Sequence, residues 1–87
     1  MESLRLDGNA AAGLLQQVFG TDMTTAIGTC DNCGAAEAVG AVHVYTAAGM
    51  VLRCPHCDAV LLKIVAGGGR MWIDARGVRT LEVLERS

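Results

Sequence analysis

Cys30-Asp31-Asn32-Cys33-Gly34 and Cys54-Pro55-His56-Cys57-Asp58 are the two stretches that decide how this chain folds. Each is a C-x2-C pair, and twenty residues separate them. Two such pairs about 15 to 20 residues apart have the spacing of a four-cysteine metal site. The reason is local. In a C-x2-C turn both sulfurs project to one side, and the amides between them point inward and stabilise thiolate charge. Two turns facing each other complete a tetrahedron around one ion. The residue after each pair agrees with this reading. A tight knuckle calls for a left-handed backbone there, which Gly34 adopts freely and Asp58 tolerates, while Pro55 stiffens the second turn. Cys30, Cys33, Cys54 and Cys57 are therefore the expected metal ligands, holding one ion per chain, with Zn2+ expected and iron the alternative.

Size explains why such a staple is needed. The chain has 87 residues, room for a single domain spanning 1–87. Apolar residues make up 52%, yet Phe19, Tyr45 and Trp72 are the only aromatics, and much of the remainder is Ala, Val and Leu. A core of that kind barely offsets the entropy of ordering a short chain. The N-terminal stretch Met1 to Asp7 is polar and does not read as a secretory signal. The longest apolar run, Ala59 to Ala66, is interrupted by Lys63 and too short to span a bilayer. A cytoplasmic protein is expected, in which paired thiols bind metal more often than they form disulfides.

Charge narrows the partners. The formal net charge is −2, and four thiolates on one divalent ion add a further −2. The basic residues Arg5, Arg53, Lys63, Arg70, Arg76, Arg79 and Arg86 are scattered, without the dense positive footprint of a nucleic-acid binder. Arg70, Arg76 and Arg79 do gather near Trp72 in the last hairpin, but the simpler reading has Trp72 packing on the helix and the arginines solvating a sheet face.

The rest of the chain reads as one helix and a series of strands. A helix is expected over about residues 8–19, capped by Asp7 or Asn9, with Leu14, Leu15, Val18 and Phe19 as its apolar stripe and Gly20 ending it. Ribbon and sheet are expected over about 23–84. Met23 to Thr29 reads as a short strand leading into Cys30, and Ala38 to Tyr45 as a second strand. Ala47-Ala48-Gly49 turns the chain, and Met50 to Arg53 returns to Cys54. Ala59 to Ala66 reads as a strand with both faces partly covered; Gly67-Gly68-Gly69 is a hairpin loop, Arg70 to Asp74 a strand, and Val78 to Leu84 the last. The fold class is α+β: a small zinc ribbon in which an N-terminal helix precedes an antiparallel β meander.

Both knuckles resemble those of a zinc ribbon. With Leu6-Asp7-Gly8-Asn9 at the front, Phe19-Gly20-Thr21-Asp22-Met23-Thr24 next and Arg53-Cys54-Pro55-His56-Cys57-Asp58 later, the chain is similar over nearly its whole length to an uncharacterised bacterial family of short zinc-ribbon-like proteins. That resemblance implies the fold class and the four ligands, and no activity.

Other chemistries compete for the same cysteines. Cys54-Pro55-His56-Cys57 matches the dithiol of strongly oxidising thioredoxin-fold proteins, but that fold starts a helix at the dithiol, where Ala59 to Ala66 reads as a strand. It also needs a cis-proline beside the dithiol, and Pro55 is the only proline. A rubredoxin-like iron electron carrier uses the same donors, since ligand type does not separate tetrahedral S4 zinc from S4 iron, although rubredoxins pack more aromatics around the metal. A thiol–zinc redox switch is a further alternative. Catalysis at the metal is not expected, because four thiolates close its shell. His56 is expected to face solvent within its knuckle, and His43 to be an ordinary sheet residue. The favoured role is a non-enzymatic adaptor that docks on a protein partner, using an apolar strip on the helix or on the Val60–Val65 strand. A homodimer formed by pairing of edge strands is also open.

Overall fold

A computed structural model describes residues 6–46 and 49–83. In chain order the elements are β1 (Leu6–Asp7), a 3-10 turn (Gly8–Ala11), α1 (Ala12–Phe19), β2 (Ile27–Cys30), β3 (Ala36–Ala38), a second 3-10 turn (Val39–Ala41), β4 (His43–Thr46), β5 (Met50–Arg53), β6 (Val60–Gly67), β7 (Arg70–Asp74) and β8 (Val78–Glu82). The class is α+β with antiparallel pairing throughout, as the sequence suggests. The strands, however, form two sheets rather than one meander. A five-stranded sheet has the order β1-β4-β5-β6-β7, and a three-stranded sheet has the order β3-β2-β8.

The helix begins later and more tightly than the sequence indicates. Its first turn is 3-10, and the α-helical part starts from Ala11, which has no side chain able to cap it. The C-terminal end is as expected: Gly20 takes φ 76° and its N–H donates to the Gln16 carbonyl at 2.8 Å. Leu15 is the fully buried member of the apolar stripe, whereas Phe19 stays 40% exposed.

The expected strand over Ala38 to Tyr45 is divided. Its start belongs to β3 in the smaller sheet, its end to β4 in the larger, and the 3-10 turn Val39–Ala41 carries the chain across. Val39 and Val42, read as strand residues, are buried at this crossing. Met23 to Ala26 likewise precedes β2 rather than belonging to it, with Met23 and Ala26 in the core. The turn assigned to Ala47 and Ala48 lies outside the described residues, as does Leu84.

The core lies between α1 and the inner face of the larger sheet. The register sets Val44 opposite Leu52 and Leu52 opposite Leu62, with Ile64 between Met50 and Ile73. Val44, Leu52, Leu62 and Ile64 are all buried. A bulge between Leu52 and Arg53 shifts the alternation at the start of β6, so Leu61 is buried as well. Leu61, Leu62 and Ile64 are thus core, while Val60 is exposed and half-buried Val65 lies opposite Trp72 in the register. Trp72 is also displaced from its expected place on the helix. It stands on the outer face of β7, 57% exposed. An apolar cleft of about 240 Å³ remains between α1 and the two sheets, lined among others by Phe19, Ile73, Val78 and Leu81.

Candidate metal centre

Each cysteine pair sits at the tip of a hairpin, and the two hairpins come from different sheets. Cys30 to Cys33 connects β2 to β3 in the smaller sheet, and Cys54 to Cys57 connects β5 to β6 in the larger. The two turns repeat one hydrogen-bond pattern. The Gly34 N–H donates to the Cys30 carbonyl at 2.9 Å, and the Asp58 N–H to the Cys54 carbonyl at 2.9 Å. One residue on, the Cys30 N–H donates to the Ala35 carbonyl and the Cys54 N–H to the Ala59 carbonyl, both at 2.9 Å. Gly34 has φ 79° and Asp58 φ 64°, the left-handed conformation expected after each pair. Asp58 is the only non-glycine residue with positive φ among those described.

This arrangement brings all four cysteines together. Their sulfurs lie within 4.8 Å of one another, with Cys30 to Cys57 at 3.6 Å and Cys33 to Cys54 at 3.7 Å. A tetrahedron with metal–sulfur distances of about 2.3 Å has edges of about 3.8 Å. A disulfide would need an S–S distance of about 2.05 Å, so these separations fit a shared ion rather than a covalent bond. Both close contacts run between knuckles, never within one. The first cysteine of each pair is rooted in the core, Cys30 at 1% and Cys54 at 2% exposure, while Cys33 is exposed and Cys57 half-buried.

Donors around the sulfurs support thiolate charge. The His56 backbone N–H points at the Cys54 sulfur at 3.4 Å, and the Asn32 side-chain amide donates to the Cys57 sulfur at 3.4 Å. The Asn32 amide first, and the Ala59 N–H second, hold the Cys57 thiol down at about 6. The Cys33 thiol is pushed up to about 11. The Ala35 N–H pulls it down, but desolvation and the thiols of Cys54, Cys57 and Cys30 outweigh that pull.

The periphery ties each knuckle to the smaller sheet. Asp31 receives the Arg79 guanidinium from β8 at 3.3 Å, and its N–H donates to the Gly77 carbonyl at 2.9 Å. Gly77 itself lies against the start of β6 so closely that a Cβ there would run into the Val60 carbonyl oxygen. The His56 ring lies 3.3 Å from the Glu37 carboxylate of β3. Arg53 donates to the Asp58 carbonyl at 2.9 Å and covers the Tyr45 ring at 5.7 Å. Asn32 and Glu37 were not legible as site residues. Asn32 at least stands inside a C-x2-C turn, within reach of an opposing sulfur, whereas Glu37 carries no local signal. His43 lies on β4, an ordinary sheet residue as expected.

No helix among the described residues is long and apolar enough to cross a membrane. No curated protein and no solved structure matches the chain. A family model does match it over residues 2–86, nearly the whole length across which the zinc-ribbon resemblance runs. The chain therefore belongs to DUF6510, a family of unknown function whose member here carries a four-cysteine cluster suited to a metal ion.

Proposed function

We propose that the chain is a non-enzymatic structural-zinc module that docks on a protein partner as a small accessory subunit. The observation that carries this reading is the cluster itself: four thiols at tetrahedral separations, contributed in pairs by two different sheets. Zinc held there would be a cross-link between the sheets. It would satisfy four thiolates, and with four protein sulfurs around it no position is left for water or substrate. The docking part of the proposal is supported by apolar surface around the cleft, where Phe19, Ile73 and Leu81 remain exposed.

Elemental mass spectrometry on untagged protein, purified without added metal, tests the metal. One zinc per chain is the expected result. One iron per chain with visible absorbance would make the protein an electron carrier of rubredoxin type, and no metal at all would overturn the proposal. Thiol counting after mild peroxide separates the static staple from a redox switch: all four thiols should stay protected in the loaded protein.

A further inference from the structure

β7 is an edge strand whose three central residues are apolar, with one charge at each end. It pairs with β6 on one side, and among the described residues no strand pairs with the other. Its five residues, Arg70-Met71-Trp72-Ile73-Asp74, are all exposed. An exposed edge with three large apolar residues, one of them a tryptophan, is a template for strand pairing. Arg70 makes no ion pair among the described residues, and Asp74 is met by Arg76 at 3.2 Å on the surface.

The hairpin geometry says which backbone groups face outward. Gly68 and Gly69 have φ 59° and 75°, the two-residue loop of a primed hairpin turn, closed by the pair Gly67 and Arg70. In such a hairpin the closing pair is hydrogen-bonded, and bonded pairs recur at every second residue. Val65 with Trp72 and Lys63 with Asp74 are then the bonded pairs toward β6. The N–H and C=O groups of Met71 and Ile73 are the ones that point to the free edge.

We propose that two copies of this protein pair antiparallel through β7, about a two-fold axis at Trp72, continuing the larger sheet from one copy into the other. In this register Met71 and Ile73 of each copy exchange backbone hydrogen bonds with Ile73 and Met71 of the other. Arg70 of each lies opposite Asp74 of the second copy, and the two Trp72 side chains meet at a non-hydrogen-bonded position, where facing side chains are closest. Charge selects the register. Moving the axis to Ile73 would set Arg70 against Arg76, and moving it to Met71 would leave β7 pairing with the glycine turn. The strand is thus self-complementary in charge about its own centre, which points to a second copy of the chain rather than an arbitrary peptide. The pairing involves no residue of the cysteine cluster, so it stands or falls independently of the metal reading.

Sedimentation velocity on the metal-loaded full chain, from about 1 μM to about 1 mM, should show a reversible monomer–dimer equilibrium, since a short edge pairing belongs to the weak end of specific association. Arg70→Asp alone, or Asp74→Arg alone, places like charges opposite each other twice per dimer and should weaken association at least about tenfold. The combined swap Arg70→Asp with Asp74→Arg should restore it to within about threefold, because opposite charges face again. Amide exchange on the unaltered protein gives a second readout: Met71 and Ile73 should gain protection with concentration, while Trp72, already bonded to β6, should not. A chain that stays monomeric throughout, a dimer indifferent to both single reversals, a combined swap that fails to rescue, or flat exchange at Met71 and Ile73 would each overturn the proposal. Metal stoichiometry should remain unchanged in every variant.

Discussion

The two knuckles solve one geometric problem with different residues, and they do so from unequal foundations. Both bend the chain with the same pair of backbone hydrogen bonds and the same left-handed residue after the second cysteine. The first uses Gly34, free of steric penalty, and keeps an amide-bearing Asn32 that reaches across to Cys57. The second forces Asp58 into φ 64°, stiffens the turn with Pro55, and is braced by Arg53. The foundations differ more. The second knuckle grows from β5 and β6, whose Leu52, Leu61, Leu62 and Ile64 are core residues, while the first grows from a three-stranded sheet in which Cys30 is the buried strand residue. The knuckle with the strained residue stands on the well-packed sheet. The relaxed one stands on the sheet with the thinner core.

With the cluster holding zinc as proposed, removing that ion should produce the largest effect and an asymmetric one. Structural zinc contributes apparent binding energies of about 10–16 kcal/mol in small domains, and that energy is also folding energy. Amide exchange after chelation should show β2, β3 and β8 losing protection first, with β4 to β6 retaining some; simultaneous loss across both sheets would erase the proposed inequality. Next in size are the ligands themselves. Replacing any cysteine by serine should abolish stoichiometric metal, but Cys30→Ser and Cys54→Ser also bury a hydroxyl in the core. They should be less stable than Cys33→Ser and Cys57→Ser by about 1–3 kcal/mol in chemical denaturation. Equal losses would mean that the core does not distinguish root from rim.

Smaller changes sharpen the contrast between the turns. Gly34→Ala places a Cβ in the left-handed region and should cost about 1–2 kcal/mol of stability in the loaded protein. Asn32→Ala removes a donor from the Cys57 sulfur, and competition with a chelator should show metal affinity falling about tenfold. Asp58→Gly runs the other way: it relieves backbone strain, loses only an exposed contact to Arg53 at 3.9 Å, and should stabilise the protein by up to about 1 kcal/mol. If Asp58→Gly destabilised instead, its side chain would be serving the site in a way its geometry does not suggest.

The legibility of the fold followed the range of the interactions. β7 was read from Arg70 to Asp74 with its observed bounds, and β6 to within a residue, because a glycine loop and a run of β-branched residues are local signals. The C-cap at Gly20 and the positive φ at Gly34 and Asp58 were readable for the same reason. Ala38 to Tyr45 was not, since a valine-rich run looks continuous even where it leaves one sheet and enters another. The 3-10 turn at Val39 is stabilised by the Val39 N–H donating to the Ala26 carbonyl and the Gly40 N–H to the Thr24 carbonyl, contacts that no local pattern announces. Trp72 misled for a related reason. A large aromatic on an alternating strand suits either face, and the choice depended on which face of the sheet the helix covered.

What the sequence determined by itself was the pair of knuckles, because C-x2-C spacing and the residue after it set backbone geometry within five residues. It also set the expectation of a staple in a chain this short and this poor in aromatics. Only the tertiary structure decided that the two knuckles rise from different sheets, so that the cysteine cluster bridges two layers rather than decorating one hairpin pair. The same is true of Glu37 beside His56, Arg79 beside Asp31 and the open edge of β7. Those outcomes depend on strand order, and strand order is settled by which apolar faces bury one another across the whole chain, a long-range competition that local spacing does not encode.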